Sequence, residues 1–171
     1  MFKNILIIGF GMIGSSIARS VIKKYKNVNI FAFDKSNNLK FRINKSKLNN
    51  VKVLKSLQEI NNLNIDLIII CVPMLQYQSI FKKLSNINLD KTIVTDVGST
   101  KVNIEKLYNQ KKYKFNFIPS HPIAGIEKAG LENGFDGLFI NRYNIICPLK
   151  KSSKTNINKI VRLSLIHISE P

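Results

Sequence analysis

The stretch SHPIAGIEKAG, residues 120–130, contains His121, one of two histidines in the chain. An imidazole is well suited to exchange a proton near neutral pH, because the ordinary pKa of histidine is about 6.5. His121 follows the apolar run KFNFIP, so we expect it where a strand passes into a loop. A histidine at such a place either packs or does chemistry, and the surrounding elements must distinguish the two.

A glycine cluster near the N-terminus has the spacing of a dinucleotide-binding turn. Gly9, Gly11 and Gly14 form the pattern G-x-G-x-x-G between a strand-like run and a helical pattern. The first glycine permits the sharp turn, the second lets the backbone approach a pyrophosphate, and the third lets helix and strand pack closely. The N–H groups around Met12 and Ile13 are then expected to face the diphosphate at the positive end of the helix.

Asp34 ends the next predicted strand, NVNIFAFD, twenty residues after Gly14. A carboxylate there can accept hydrogen bonds from both ribose hydroxyls and would repel a 2′-phosphate, which predicts NAD rather than NADP as the cofactor. Lys35 and Ser36 weaken this preference, since both side chains could meet a phosphate. The alternative interpretation is a glycine turn followed by a surface aspartate.

Two further predicted strands end in CVP, residues 71–73, and TDVGSTK, residues 95–101. In an open parallel sheet, ligands bind beyond the carboxyl ends of the strands. Val72 and Pro73 are therefore predicted to form an apolar wall of the cofactor cleft, and Ser99 to lie near the nicotinamide. A strand-ending proline, and capping of the next helix by Ser99 or Thr100, are the alternatives.

The order of elements predicts an α/β fold with a doubly wound parallel sheet of the Rossmann type. Strand-length apolar runs alternate with helical segments of crossover length. IDLIIICV is nearly continuously apolar, as expected for a strand covered on both faces, and KFNFIPS and RYNIICPL are predicted as the last strands. We assign residues 1–150 to a dinucleotide-binding domain and residues 151–162 to the start of a following segment.

The formal net charge of +17 raises the question of a nucleic-acid or membrane partner. The lysines are scattered, and Lys, Asn and Ile all have AT-rich codons, so we favour codon bias and expect no nucleic-acid and no membrane partner. The apolar run LIIICVPML is too short to span a bilayer, and with no readable signal peptide we expect a cytoplasmic protein. Cys71 and Cys147 are expected to be small core residues, and no metal site is predicted.

The last nine residues, LSLIHISEP (163–171), differ from the preceding chain because they contain neither Lys nor Asn. They resemble the translated end of a sequencing adapter. We therefore expect the native reading to stop near Arg162 and His167 to carry no function. A genuine helix end is the alternative, and resequencing the locus distinguishes the two.

In this order and at these separations, GFGMIGSS, Asp34, CVP, TDVGSTK and HPIAGIEKAG resemble the prephenate/arogenate dehydrogenase family of tyrosine biosynthesis over residues 3–150. The resemblance implies NAD-dependent oxidative decarboxylation of prephenate to 4-hydroxyphenylpyruvate, or of arogenate to tyrosine. It implies that His121 accepts the proton of the ring hydroxyl and that Ser99 orients His121 or bridges it to the ligands. It also implies that Gly125 and Glu127 lie beside the substrate.

Two departures from the family pattern limit what the chain is expected to do alone. Ile126 stands where many members carry Ser or Thr. The family also has a following helical domain, which supplies an arginine for the substrate carboxylate and much of a homodimer interface. We therefore expect the 171 residues to bind nucleotide but to turn over little or no substrate. An oxidoreductase of the β-hydroxyacid dehydrogenase type and a non-catalytic dinucleotide-binding module are the alternatives.

Overall fold

A computed structural model describes residues 2–111 and 113–164. Six parallel strands form one sheet in the order β3-β2-β1-β4-β5-β6. The strands are β1 (Asn4–Ile8), β2 (Asn29–Phe33), β3 (Val51–Val53), β4 (Leu67–Ile70), β5 (Ile93–Asp96) and β6 (Asn116–Ile118). The order runs outward from the middle in both directions, which confirms the predicted doubly wound sheet.

Five helices flank the sheet: α1 (Met12–Lys24), α2 (Leu39–Lys45), α3 (Tyr77–Leu84), α4 (Lys101–Gln110) and α5 (Lys154–Ser164). Helix α2 was not predicted from the sequence, because its seven residues bury only Leu39 and Ile43, too few for a clear helical period. These two side chains are one turn apart and cover the sheet near β3. A 3-10 turn at Leu57–Asn62 follows β3.

The core has two layers, one on each face of the sheet. Ile5 and Ile7 of β1 point into the layer shared with α1, α2 and α5, whereas Leu6 and Ile8 point into the layer shared with α3 and α4. The alternation follows from the two-residue period of a strand. Because β1 is covered on both faces, its sequence is apolar from Ile5 to Ile8, and β4 is apolar throughout for the same reason.

The last two predicted strands do not both join the sheet. KFNFIPS supplies β6 and then a separate strand, β7 (Ser120–Pro122), which pairs antiparallel with β8 (Asn144–Ile146) from RYNIICPL. The prediction that RYNIICPL extends the parallel arrangement is therefore wrong. Pro119 separates β6 from β7 and has no N–H to continue a ladder, so the chain leaves the sheet edge there. The carbonyl of Pro119 instead accepts the N–H of Cys147 at 2.9 Å.

The direction of winding reverses between β1 and β4, and their carboxyl ends open a crevice. The glycine turn follows β1, Cys71 and Val72 follow β4, and Val97 follows β5, so these residues share one rim. Within the described residues no helix is long and apolar enough to cross a membrane. Cys71 and Cys147 are both free thiols, partly buried.

Helix α5 includes Leu163 and Ser164, the first two residues of the tail distinguished by composition. The Leu163 side chain packs, partly buried, against the core layer that also holds Ile160. The remainder of that tail, including His167, lies outside the described residues.

Candidate functional site

The glycine turn between β1 and α1 is too crowded for a side chain at two of its three glycines. Gly9 has φ of +91°, and a Cβ there would lie 2.7 Å from the Cys71 carbonyl. A Cβ on Gly14 would lie 2.4 Å from Gly9 O, so α1 packs directly on the turn. At Gly11, in contrast, no heavy atom of the described residues lies within 4 Å of such a Cβ. The turn therefore leaves open space at Gly11, where a ligand could approach the protein backbone.

The first turn of α1 faces this open space. Gly11 occupies the cap position, and Ser15 N donates to Gly11 O at 2.9 Å, which starts the helical hydrogen bonds. The N–H groups of Met12 and Ile13 precede that bond and have no acceptor within the helix. They stand at the positive end of the helix, with no acidic residue in the first turn. The arrangement is suited to an anion.

Two backbone N–H groups hold the Asp34 carboxylate at the glycine turn. Asp34 Oδ2 accepts from Phe10 N at 2.8 Å, and Oδ1 accepts from Ser36 N at 3.0 Å. An ionised carboxylate has about four acceptor positions, so two remain for further donors such as ribose hydroxyls. The Ser36 hydroxyl is itself within 2.5 Å of Asn38 Oδ1. Asp34 thus lies directly beside the glycine turn.

The residues after β4 form the opposite wall of the crevice. A Cβ on Gly9 would lie 2.8 Å from Val72 Cγ1, which brings Val72 directly against the glycine turn. Pro73 is exposed and precedes a 3-10 turn at Met74–Gln76 that leads into α3. Burial raises the pKa of the Cys71 thiol, with a smaller contribution from the charge of Asp96. Cys71 therefore stays a neutral thiol and a packing residue, as its sequence context predicts.

His121 is fixed by a hydrogen bond to the loop after β5. Its Nδ1 lies 3.1 Å from the carbonyl oxygen of Val97. A carbonyl can only accept, so in the neutral imidazole Nδ1 carries the proton and Nε2 presents a lone pair. The side chain is partly buried, on the face of the β7–β8 ribbon that also carries Ile145. The geometry therefore provides an oriented imidazole with a proton-accepting nitrogen.

Beneath His121 lies a buried charge network that sequence reasoning did not assign. The fully buried carboxylate of Asp96 pairs with Lys101 Nζ at 2.6 Å. It also accepts from Tyr77 Oη at 2.9 Å, from Gly98 N at 3.0 Å and from Ser120 N at 3.0 Å. Lys101 Nζ donates in addition to the carbonyl of Ser120, the residue before His121. The network joins the end of β5 to the strand that carries the histidine.

The direction of two pKa shifts agrees with this burial. Burial lowers the pKa of Lys101, and the Asp96 charge partly opposes it. Burial, followed by the Asp96 charge, raises the pKa of Tyr77, so its phenol remains a donor. The signal for this network was present in TDVGSTK: an acid at the end of a buried strand needs a cation, and Lys101 follows five residues later.

Ser99 lies on the exposed loop between β5 and α4. It follows Gly98, where a Cβ would meet Tyr77 Oη at 2.8 Å and Asp96 Oδ2 at 3.0 Å. Thr100, one of the two predicted cap residues, takes the cap position of α4, but within the described structure no side chain makes the capping hydrogen bond. Ser99 follows Val97 by two residues in this loop, and Val97 O is the hydrogen-bond partner of His121 Nδ1 from β7.

Gly125, Ile126 and Glu127 form an exposed loop after β7. No heavy atom of the described residues lies within 4 Å of a Cβ built on Gly125. The loop leaves the ribbon at Ile123, whose N–H donates to Tyr143 O at 2.8 Å. Gly125 and Glu127 are accordingly both exposed to solvent.

The sequence of the chain also matches a known protein family. Residues 17–166 match the model of the prephenate dehydrogenase nucleotide-binding domain. The chain belongs to this family. A cyclohexadienyl dehydrogenase of Zymomonas mobilis is 32% identical over 148 residues, covering 86% of this chain and 50% of that protein. A prephenate dehydrogenase of Lactococcus lactis is 34% identical, covering 84% of this chain and 40% of that protein. The chain spans half or less of the length of these relatives.

A solved structure shows the same fold. Prephenate dehydrogenase from Aquifex aeolicus, in complex with hydroxyphenyl propionate and NAD+, superimposes with a TM-score of 0.85 at 28% identity. The superposition covers 99% of this chain and 59% of that one. The family match favours the prephenate dehydrogenase family over the β-hydroxyacid dehydrogenase type.

Proposed function

We propose that this chain is the cofactor-binding half of an NAD-dependent prephenate or arogenate dehydrogenase. The observation that carries the proposal is the hydrogen bond between His121 Nδ1 and Val97 O, which leaves Nε2 free to accept a proton on the ligand rim. The same rim holds the glycine turn and Asp34. The substrate is a small molecule, a cyclohexadienol that bears a ring carboxylate and a hydroxyl group.

The residues present fit NAD. The open position at Gly11 and the N–H groups of Met12 and Ile13 would hold the diphosphate. Asp34 would accept from the ribose hydroxyls, while Val72 and Pro73 would line the crevice. When bound, NAD supplies the acceptor for the hydride. The two N–H bonds that fix Asp34 keep its charge where a 2′-phosphate would otherwise bind, so NAD is favoured over NADP.

His121 would take the proton of the ring hydroxyl at Nε2 while a carbonyl forms on the substrate. As the ring becomes an imidazolium, the Nδ1–H bond to Val97 O strengthens, because the donor becomes charged. Ser99, from the adjacent loop, would orient His121 or bridge it to the ligands. Gly125 and Glu127 would lie at the substrate side, with Glu127 in an ionic network and not in proton transfer.

The remaining requirements fall to a following helical domain of the full-length enzyme. That domain would supply an arginine for the substrate carboxylate and the main homodimer interface. The 171-residue chain would accordingly bind NAD but show little or no dehydrogenase activity. The enzyme would act in the cytoplasm, without a nucleic-acid or membrane partner.

Two experiments test the proposal. Isothermal titration of this chain should show binding of NAD that is at least tenfold tighter than binding of NADP, a rough threshold set by one charge repulsion. An NADP preference would contradict the role of Asp34. In the full-length enzyme, His121→Asn should abolish most turnover of prephenate or arogenate while leaving NAD affinity intact. Unchanged turnover would remove His121 from the mechanism.

A further inference from the structure

Buried serines of α1 bind a segment that lies more than a hundred residues further along the chain. The segment comprises residues 131–136 and is called the docking segment below. Ser15 Oγ donates to the carbonyl of Leu131 at 3.1 Å, and Ser20 Oγ donates to the carbonyl of Asp136 at 2.9 Å. Both serines are buried, so the backbone of the docking segment supplies partners that water cannot.

The Ser16 hydroxyl links the docking segment to Met12, the first residue of α1. The N–H of Phe135 donates to Ser16 Oγ at 3.1 Å, and Ser16 Oγ donates in turn to the carbonyl of Met12 at 2.7 Å. Met12 begins α1 and borders the open space at Gly11. A change in the position of Phe135 is therefore transmitted through one hydroxyl to the turn that faces the nucleotide.

Gly134 brings the docking segment as close to this turn as a backbone can come. A Cβ on Gly134 would lie 2.1 Å from Ser15 Oγ and 3.1 Å from the carbonyl of Met12. Real side chains do not tolerate the first distance, so a substitution must displace the Ser15 hydroxyl from its bond to Leu131, and the carbonyl of Met12 must also shift slightly. In a packed interior a displacement of this kind is passed on to the neighbours.

The docking segment is also anchored away from the serines. Leu131 is fully buried in the core layer on the α1 face of the sheet. Arg42 of α2 forms two hydrogen bonds of 2.7 Å to the Glu132 carboxylate, and Lys23 lies 2.7 Å from Asp136. The segment is thus held by α2 and by both ends of α1, and it can act as a fixed support.

We propose that the docking segment positions the first turn of α1 for the nucleotide, with Gly134 as a positioning residue that does not touch the ligand. The proposal rests on the proposed function in one respect, because it takes NAD as the nucleotide. The docking segment also anchors the far end of the loop 123–130, whose near end follows His121 and its bond to Val97. By thermodynamic reciprocity, NAD binding would stabilise the docking segment in turn.

The main test is Gly134→Ala in this chain, with Gly137→Ala as the matched control. At Gly137 a Cβ would meet its nearest neighbour, in Phe135, at 3.5 Å, an ordinary contact. By calorimetry, Gly134→Ala should weaken NAD binding roughly tenfold or more, whereas Gly137→Ala should bind NAD like the unmodified chain. A folded Gly134→Ala variant with unchanged NAD affinity would overturn the proposal.

Two further measurements cover the remaining outcomes. If Gly134→Ala does not fold, Ser16→Ala removes the hydroxyl without adding atoms and should weaken NAD binding about fivefold. Ser85→Ala, at the exposed residue just after α3, is the control, and equal affinity of both variants would refute the inference. If the unmodified chain does not bind NAD, the proposed function fails, and hydrogen exchange of amides 15–18 decides instead. Ser16→Ala should then accelerate this exchange relative to Ser85→Ala, and equal rates would overturn the inference.

Discussion

Asp96 and Lys101 form an ion pair of 2.6 Å between the end of β5 and the start of α4, and the pair supports the strand that carries His121. Both partners also bind Ser120, Asp96 through the Ser120 N–H and Lys101 through the Ser120 carbonyl. The backbone just before His121 is therefore fixed by a charge of each sign. The network thus fixes the backbone from which the imidazole projects.

Lys101→Met should lower the free energy of unfolding by about 3–5 kcal/mol, because it leaves the Asp96 carboxylate buried without its cation. Urea unfolding of both proteins measures the difference. Lys106→Met, at an exposed position of the same helix, should change it by less than about 0.5 kcal/mol. In the double variant with Asp96→Asn the losses should not add, since the pair is coupled. Additive losses would contradict the coupling.

Tyr77→Phe should lower the free energy of unfolding at pH 7 by about 1.5–3 kcal/mol, because the phenol donates to the buried Asp96 carboxylate. Burial and the Asp96 charge raise the pKa of Tyr77 in the folded chain. The unfolded chain, with a tyrosine pKa of about 10, loses its phenolic proton first, so this contribution declines as the pH rises above about 10. The gap between Tyr77→Phe and the unmodified chain should therefore narrow between pH 8 and about 11 in urea unfolding.

Tyr143→Phe is the matched control for this pH dependence, since Tyr143 is 82% exposed. Its free energy of unfolding should follow that of the unmodified chain across the same range. A gap for Tyr77→Phe that stays constant or widens above pH 10 would show that the phenol is not held neutral by Asp96.

Glu132→Gln should remove an acid-sensitive part of the stability. The bidentate bond from Arg42 lowers the pKa of Glu132 to about 2. The unfolded value is about 4.3, so the stabilisation is complete above that pH and is lost as the pH falls toward about 2. Because Glu132 is half exposed, water screens the pair and we expect about 1 kcal/mol or less at pH 7.

The measurement is the difference in free energy of unfolding between Glu132→Gln and the unmodified chain at pH 7 and at pH 3. The difference should shrink at pH 3. Glu105→Gln, at an exposed position of α4, provides the control and should show no such trend. A difference that is the same at both pH values would contradict an ionic origin.

The sequence was sufficient for the features that depend on local pattern. The sheet and the glycine turn were predicted because their signals are contiguous: β4 and all of β1 after Asn4 are apolar, and Gly9, Gly11 and Gly14 follow a strand directly. The position of Asp34 also follows from its place at the end of β2. Each of these needs only the period of a strand and the reach of one turn.

The features that the sequence did not reveal depend on partners far apart in the chain. Ser15 and Leu131 are 116 residues apart, and the Asp96 carboxylate meets Ser120 N across 24 residues. A serine inside an apolar helix face gives no indication of which carbonyl it will bind. The antiparallel pairing of β7 with β8 was missed for the same reason, since it depends on where the long loop returns.

Gly11→Ala and Gly14→Ala should separate cofactor binding from folding. A Cβ on Gly11 meets no heavy atom of the described residues within 4 Å, so Gly11→Ala should unfold at nearly the same urea concentration as the unmodified chain. The added methyl group would occupy the space that a diphosphate needs, and NAD affinity should fall at least tenfold, on the order of a lost close backbone contact. Gly14→Ala should instead destabilise the fold by about 1–3 kcal/mol, because its Cβ would lie 2.4 Å from Gly9 O.

Urea unfolding and calorimetric titration of both variants provide the comparison. If Gly11→Ala binds NAD as tightly as the unmodified chain, the ligand does not approach the backbone at Gly11, and the assignment of the diphosphate to this turn is wrong.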